Sequence, residues 1–185
     1  MKEILFFSNN KNKIKEILLL FNKTPLKILS LNDFKKIKSP KEIGKTFEKN
    51  AKIKSLFGLE KFNKICFADD SGICISAMGG LPGINSKKLL SSEKNKLNIF
   101  NQIINFTKDK KNFAAFFQTS ICLSLDKNRH FFFKGIIKGN ISRSIRGQEG
   151  FGYDPIFIPE NQKKTFGEMN QIEKNLISHR SIAIN

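Results

Sequence analysis

Apolar residues recur with helical spacing in several parts of the chain. The run Ile14–Phe21 follows the i, i+3, i+4, i+7 pattern of an amphipathic helix. The hydroxyl of Thr46 suits the N-cap of a second helix, which we expect to run to about Phe62. Similar spacing predicts a helix over 97–104, and we also expect the chain to be helical from Glu173 onward.

Strands are predicted where apolar residues cluster or alternate between turn residues. The short strand Ile65–Ala68 is expected to end at a pair of aspartates, with Ile73–Ala77 as its hairpin partner. The other predicted strands are Lys2–Phe7, Leu26–Leu29, Phe113–Leu125, His130–Lys138 and Ile156–Ile158. Because helices alternate with strands early and a hairpin follows later, we expect a mixed α/β sheet with a cleft rather than a simple doubly wound sheet.

Length and composition indicate one soluble domain. The 185 residues are 39% apolar, which is enough to build a core at this length. No apolar run approaches the roughly 20 residues of a membrane span. Cys66, Cys74 and Cys122 are dispersed in apolar segments and are expected to be buried free thiols. We therefore expect a cytoplasmic protein, with residues 1–185 forming a single domain of two lobes.

The charge balance is strongly basic. The chain has 33 Lys and Arg against 16 Asp and Glu, a net charge of +17. This charge suits a polyanionic partner such as nucleic acid, but the lysines are spread along the chain and also fit an ordinary solvated surface. Under either interpretation the protein would attract anionic substrates, including nucleotides.

Two scarce carboxylates stand side by side in the stretch FADDSG. Asp69 and Asp70 directly follow an apolar strand, where open α/β folds often bind ligands. Adjacent carboxylates are tolerated if a hard cation such as Mg²⁺ lies beside them, or if one binds metal and the other acts as a general base. A solvated turn at Ser71-Gly72 is the alternative.

The segment SNNKNK, residues 8–13, lies between the first strand and the first helix. Amide groups at a helix N-terminus bind phosphate oxygens, and Lys13 would add a cation. The segment contains no glycine, so it is neither a Walker A loop nor a dinucleotide-binding loop. A simple N-cap with surface lysines would give the same pattern.

Two later segments combine features of a base-binding pocket. In GQEGFGYDP, residues 147–155, glycines surround Phe151 and Tyr153, which are suited to stack on a flat ring, while Asp154 accepts hydrogen bonds. In the triplet at 178–180, His179 and Arg180 are donors that suit the acceptors of a 6-oxo purine. A tight turn with buried aromatics is the plainer explanation of the first segment.

Taken together, the motifs resemble those of the non-canonical purine nucleoside triphosphate pyrophosphatases, the inosine/xanthosine triphosphatase family. The matching positions are Ser8, Asn10, Lys13 and Glu16, then Glu42, Thr46, Phe47, Asn50, Ala51 and Lys54, then Ala68–Gly72, Gly79–Gly83, Gly150–Phe157 and Lys164–Arg180. Their order and spacing cover nearly the whole chain.

The resemblance implies Mg²⁺-dependent hydrolysis of inosine, xanthosine or deoxyinosine triphosphate to the monophosphate and pyrophosphate. It also implies an α/β fold with an elongated mixed β-sheet and flanking helices, two lobes around a central substrate cleft, and a homodimer. Asp70 would be the general base and a metal neighbour, with Glu42 and Asp69 helping to hold Mg²⁺. The implied phosphate-binding residues are Ser8, Asn9, Asn10, Lys11, Asn12, Lys13, Lys54 and Ser71, and the base-binding residues are Phe151, Gly152, Tyr153, Asp154, Lys174, His179 and Arg180.

The chain departs from the family pattern in three places. Lys87-Lys88 stands where the family has Ala-Arg, Gly167 stands where it commonly has Ala, and the chain stops five residues after Arg180. Lysine lacks the planar fork of arginine, so the loop that contains it is expected to contribute differently. Two other functions remain open: a nucleic-acid-binding module on a nucleotide fold, and a pyrophosphatase acting on modified pyrimidine nucleotides. We do not expect sequence-specific nucleic-acid binding.

Overall fold

Strands and helices alternate along the first part of the chain. The computed structural model describes residues 2–34, 37–93 and 95–185. Its strands are β1 (Lys2–Phe6), β2 (Leu26–Ser30), β3 (Cys66–Ile75), β4 (Ala114–Ser124), β5 (His130–Ile141) and β6 (Phe157–Pro159). Its α-helices are α1 (Lys11–Phe21), α2 (Phe47–Phe62), α3 (Ser86–Ser92), α4 (Lys96–Asp109), α5 (Gln171–Ile177) and α6 (His179–Ile184). The mixed α/β class predicted from the sequence is confirmed.

The described strands form one sheet in the order β2-β1-β3-β4-β5-β6. Strands β2 and β3 both pair with β1 in parallel, whereas β6 pairs with β5 in the antiparallel direction. The sheet is therefore mixed, as expected for a chain in which crossover helices are followed by a long hairpin.

Strand β3 differs from the prediction. We expected it to end at the aspartates, but it runs unbroken from Cys66 to Ile75, so Asp69 and Asp70 lie within the strand. The predicted hairpin between Ile65–Ala68 and Ile73–Ala77 is wrong. Both aspartates therefore belong to a regular element rather than to a turn.

Gly72 explains why the Ser-Gly pair looked like a turn. A Cβ atom at Gly72 would lie 2.2 Å from the carbonyl oxygen of Gly83 and 2.5 Å from Oγ of Ser86. Glycine within a strand often marks such a close approach of another segment. The glycine is needed for packing, and the strand continues through it.

Side-chain caps fix the beginnings of the two helices nearest the acidic residues. The Asn10 side chain accepts hydrogen bonds from the amides of Asn12 and Lys13 at the start of α1. The Thr46 hydroxyl accepts one from the amide of Lys49 at the start of α2, as predicted. Each cap satisfies amide groups that a helix leaves without an internal partner.

The chain divides into two compact units. The first consists of Met1–Asp70, Thr119–Gly135 and Ala183–Asn185, and the second of Ser71–Gln118 and Ile136–Ile182. The first unit has apolar clusters around Phe6 and Leu5, and the second has a larger cluster that includes Phe117 and Phe157. Among the described helices, none combines the length and apolar character needed to cross a membrane.

Candidate active site

Asp70 is held from α2 by two side chains one helical turn apart. The carboxyl group is 6% exposed. Its Oδ1 lies 2.9 Å from Nζ of Lys54, and its Oδ2 accepts a hydrogen bond of 3.2 Å from the side-chain amide of Asn50. Because residues i and i+4 share a helix face, α2 fixes both oxygens of the carboxylate.

Lys54 also connects Asp70 to a second carboxylate. Its ammonium lies 3.2 Å from Oε1 of Glu42. The backbone amide of Gly44 donates a 2.8 Å hydrogen bond to Oδ1 of Asn50. The segment that carries Glu42 is thus attached to the same helix that orients Asp70.

Burial and neighbouring charges have opposite effects on the pKa values of Asp70 and Lys54. Burial raises the pKa of Asp70 above its usual value, although the charges of Lys54 and Lys13 partly offset the rise. Burial alone would lower the pKa of Lys54, but the negative charges of Asp70, Asp69 and Glu42 outweigh it and raise that pKa. Asp70 is thus a carboxyl group with increased proton affinity, adjacent to an ammonium that stays charged.

Asp69 has different partners. Nζ of Lys13 lies 3.1 Å from its Oδ1 and 2.9 Å from its Oδ2, and the carboxylate is buried. The hydroxyl of Thr119 on β4 lies 3.4 Å from Asp69 Oδ2 and 3.3 Å from the backbone oxygen of Asp70. Lys13 belongs to the first turn of α1. Its contact with Asp69 places this predicted phosphate-binding residue beside the aspartate pair.

The rest of the 8–13 segment forms a helix start. Oγ of Ser8 accepts a hydrogen bond from the backbone amide of Asn10, and the Asn9 side-chain amide donates to the Ser39 hydroxyl. Lys11 and Asn12 are exposed on the first turn of α1. Of the predicted phosphate-binding residues in this segment, Lys13 is the one for which the structure gives a contact with the acidic residues.

The donor set suits a hard divalent cation. Within the described ranges, no three His, Cys, Asp or Glu residues converge to form a ready-made metal cluster. The Lys54 ammonium nevertheless contacts oxygens of both Glu42 and Asp70, so these two carboxylates lie close to one another. One or two carboxylates completed by water and phosphate are the usual protein ligands of Mg²⁺.

In the second unit, Asp154 is the centre of a buried polar group. One carboxylate oxygen forms an ion pair with Lys174 and accepts a 2.7 Å hydrogen bond from the backbone amide of Phe151. Gly150 has φ +71°, and a Cβ there would lie 2.2 Å from that oxygen. Glycine at this position is therefore required both by the backbone conformation and by the space that Asp154 occupies.

Phe151 has two cations near its ring. Nζ of Lys174 lies 4.5 Å from the ring centroid, and the Arg180 guanidinium lies 5.6 Å away. Arg180 is 1% exposed and donates a 2.7 Å hydrogen bond to the hydroxyl of Ser71, the residue that follows Asp70 in the chain. The His179 ring stacks on Phe117 at 5.0 Å.

Tyr153 does not fit the predicted role in ring stacking. It is 2% exposed, packs in the apolar cluster of the second unit, and its hydroxyl donates to the carbonyl of Ser86. Gly152 beside it has φ +68° and makes the turn that directs Tyr153 inward. The structure thus brings Phe151, Asp154 and the cations together, with Tyr153 as part of their support.

The sequence motifs predicted no role for two residues that contact Asp69 or Asp70. Asn50 is one turn before Lys54 on the face of α2 that meets Asp70, and that i, i+4 spacing was a usable signal. Thr119 lies inside a long apolar strand, where a single hydroxyl gives no signal until the pairing of strands is known.

The motifs and the fold agree with known proteins. A model of the Ham1 family matches residues 4–185. The chain is 40% identical over 182 residues to a dITP/XTP pyrophosphatase of Flavobacterium johnsoniae, covering 98% of this chain and 94% of that protein. It is 39% identical over 184 residues to a dITP/XTP pyrophosphatase of Acholeplasma laidlawii, covering 99% of this chain and 90% of that protein.

Solved structures agree over the same length. A HAM1 protein of Coxiella burnetii superposes with a TM-score of 0.88 at 30% identity, covering 100% of this chain and 95% of that chain. A nucleoside-triphosphatase / dITP/XTP pyrophosphatase of Mycobacterium abscessus gives a TM-score of 0.76 at 31% identity, covering 98% and 96%. These matches confirm the resemblance seen in the motifs: the chain belongs to the Ham1 family.

Proposed function

We propose that this protein hydrolyses non-canonical purine nucleoside triphosphates, namely inosine, deoxyinosine and xanthosine triphosphate, to the monophosphate and pyrophosphate. The observation that carries the proposal is the buried Asp70 carboxylate, whose pKa is raised by burial and whose two oxygens are held by Lys54 and Asn50. Relatives that match nearly the whole chain are dITP/XTP pyrophosphatases. The enzyme would act on the cytoplasmic nucleotide pool.

Asp70 acts as the general base in this proposal. It takes a proton from a water molecule whose oxygen attacks phosphorus, while the bond between the α- and β-phosphates breaks and pyrophosphate leaves with the electron pair. A raised pKa suits this role because the carboxylate then holds the transferred proton more strongly. Lys13 and Lys54 offset the negative charge that develops on the phosphates.

Glu42 and Asp70 are the carboxylates that would hold Mg²⁺. When bound, the ion neutralises phosphate charge and makes a coordinated water more acidic. Lys54 contacts an oxygen of each residue, which supports placing the two carboxylates at one site.

The buried polar group of the second unit is the proposed base-binding site. Arg180 and His179 supply donors for O6 and N7 of a 6-oxo purine, and Phe151 offers a ring with two cations beside it. Adenine carries a 6-amino donor where these residues need an acceptor. A site that leaves buried donors unpaired rejects such an analogue strongly.

A substrate panel tests the proposal. Purified protein with Mg²⁺ is given inosine, deoxyinosine and xanthosine triphosphates, then ATP, GTP and modified pyrimidine triphosphates, and pyrophosphate and orthophosphate are measured separately. We expect pyrophosphate from the deaminated purines, little from ATP, and no activity when Mg²⁺ is chelated. Preferred hydrolysis of a pyrimidine nucleotide, or release of orthophosphate as the first product, would contradict the proposal.

We also propose that the protein is a homodimer, as the family resemblance implies. Multi-angle light scattering at micromolar concentration would then give twice the chain mass, whereas a stable monomeric mass would rule the dimer out.

A further inference from the structure

Asp69 and Asp70 are adjacent in β3 but contact different elements. Asp69 contacts Lys13 of α1, whereas Asp70 contacts Asn50 and Lys54 of α2. The two residues thus have different hydrogen-bond partners although they are neighbours in the chain. The different partners indicate that the two carboxylates perform different tasks.

The Asp69 carboxylate is well placed to orient Lys13. Both of its oxygens lie within 3.1 Å of the ammonium. The carboxylate side chain is 1% exposed, whereas the lysine side chain is 14% exposed. The buried carboxylate therefore holds the ammonium of a lysine side chain that is itself not fully buried.

Thr119 constrains the same carboxylate. The threonine is fully buried, and its hydroxyl lies within hydrogen-bonding range of Asp69 Oδ2 and of the Asp70 backbone oxygen. The hydroxyl thus has two acceptors within range, one on each of the adjacent aspartates. Thr119 thus ties the orientation of Asp69 to the backbone position of Asp70.

We propose that Asp69 is a positioning residue rather than a metal ligand: it holds the Lys13 ammonium ready for the substrate phosphates, and Thr119 keeps it in place. This inference rests on the proposed function and refines it, because the family resemblance had implied that Asp69 helps to hold Mg²⁺. Glu42 and Asp70 then supply the carboxylates for the ion.

Metal binding without substrate gives the first test. Mn²⁺ alone is titrated into wild type, Asp69→Asn, Asp70→Asn and the exposed control Asp109→Asn, and binding is followed by water-proton relaxation. We expect Asp69→Asn and the control to bind Mn²⁺ as wild type does, and Asp70→Asn to bind about tenfold more weakly or worse. An equal loss in Asp69→Asn and Asp70→Asn would identify Asp69 as a ligand and overturn the proposal.

A double-mutant cycle gives the second test. Asp69→Asn and Lys13→Met should each raise KM for inosine triphosphate by about tenfold, with a smaller fall in kcat. If Asp69 acts through Lys13, the double variant should be no worse than the more impaired single variant. Additive losses would show that Asp69 acts independently of Lys13 and would overturn the proposal.

Thr119 is tested by a matched pair of substitutions. Thr119→Val keeps the shape but removes the hydroxyl, so KM should rise in the same direction as in Asp69→Asn, and Thr119→Ser should restore it. Wild-type KM in Thr119→Val would show that Thr119 does not hold Asp69 in place. If wild type fails to hydrolyse inosine triphosphate at all, the proposed function fails, while the Mn²⁺ comparison still tests the assignment of Asp69.

Discussion

At the scale of single residues, the balance of burial and charge gives Asp70 its chemistry. A carboxylate removed from water would normally be neutralised by a proton. Here Lys54 and Asn50 contact its oxygens and keep the charged form accessible, while burial still raises its pKa. The result is a carboxylate that binds a proton more strongly than an ordinary aspartate and is held in one orientation, which is what the proposed general base requires.

The pH titration of the metal-free protein should report this carboxyl group. Followed by NMR of the Asp70 side-chain carboxyl carbon without Mg²⁺, the titration should have a midpoint above the usual aspartate value of 3.8, because burial favours the protonated form. Lys54→Met removes a charge that lowers the Asp70 pKa, so the midpoint should move to higher pH. Lys61→Met, at the exposed end of α2, should leave it unchanged. An unchanged midpoint in Lys54→Met would contradict the assignment.

The raised pKa also has a consequence for stability. The folded protein binds the Asp70 proton more tightly than the unfolded chain does, so this group's contribution to stability is present at low pH and is lost as pH rises through the folded pKa. Asp70→Asn cannot lose this contribution. Without metal, the urea midpoint of the variant relative to wild type should therefore rise as the pH is raised from 4 to 7, on top of any constant loss from leaving Lys54 without its partner. A difference between the two proteins that does not change with pH would refute this.

At the scale of elements, local sequence signals predicted where helices begin and which segments form helices and strands. Thr46 predicted the start of α2, and apolar periodicity predicted α1 and α4, because capping and amphipathic packing depend on neighbours in sequence. The same signals predicted that Asn50 and Lys54 lie on one helix.

Features that depend on distant segments were not predictable. Ser71-Gly72 looked like a turn, but Gly72 is there because the Gly83 carbonyl approaches the strand. Tyr153 looked available to a ligand, yet its hydroxyl is bound by the carbonyl of Ser86. Each case reflects a partner far away along the chain, which overrides the local signal.

Gly72 should therefore tolerate no side chain. In Gly72→Ala the new methyl group would meet the Gly83 oxygen at 2.2 Å, and overpacking of this kind costs about 1–3 kcal/mol of unfolding free energy. Gly79→Asn is a suitable control, since a Cβ there meets nothing within 4 Å and asparagine tolerates its positive φ. Urea unfolding compares the two variants, and equal midpoints would show that Gly72 is not needed for packing.

At the scale of the whole molecule, the net charge of +17 requires its own test. A groove of about 530 Å³ in the second unit is lined by Arg143, Arg146 and Lys163, among others, and includes none of the residues proposed to bind substrate. Basic surfaces of this kind bind nucleic acid through phosphate contacts without reading sequence.

We accordingly expect only non-specific binding to duplex DNA. Anisotropy of two labelled duplexes of unrelated sequence should give equal affinities at about 0.05 M salt and loss of binding by about 0.2 M, because released counterions drive the association. A preference for one sequence that persists at the higher salt would instead support the nucleic-acid-binding module.

In the proposed reaction, Asp70 removes the proton from the water that cleaves a deaminated purine triphosphate. The most direct measurement is the initial rate of pyrophosphate release from inosine triphosphate with Mg²⁺, for wild type and for Asp70→Asn of verified fold. We expect rapid release by wild type and a loss of about 10²–10⁴-fold in the variant, the range that general-base catalysis contributes. Equal rates for the two proteins would contradict the claim.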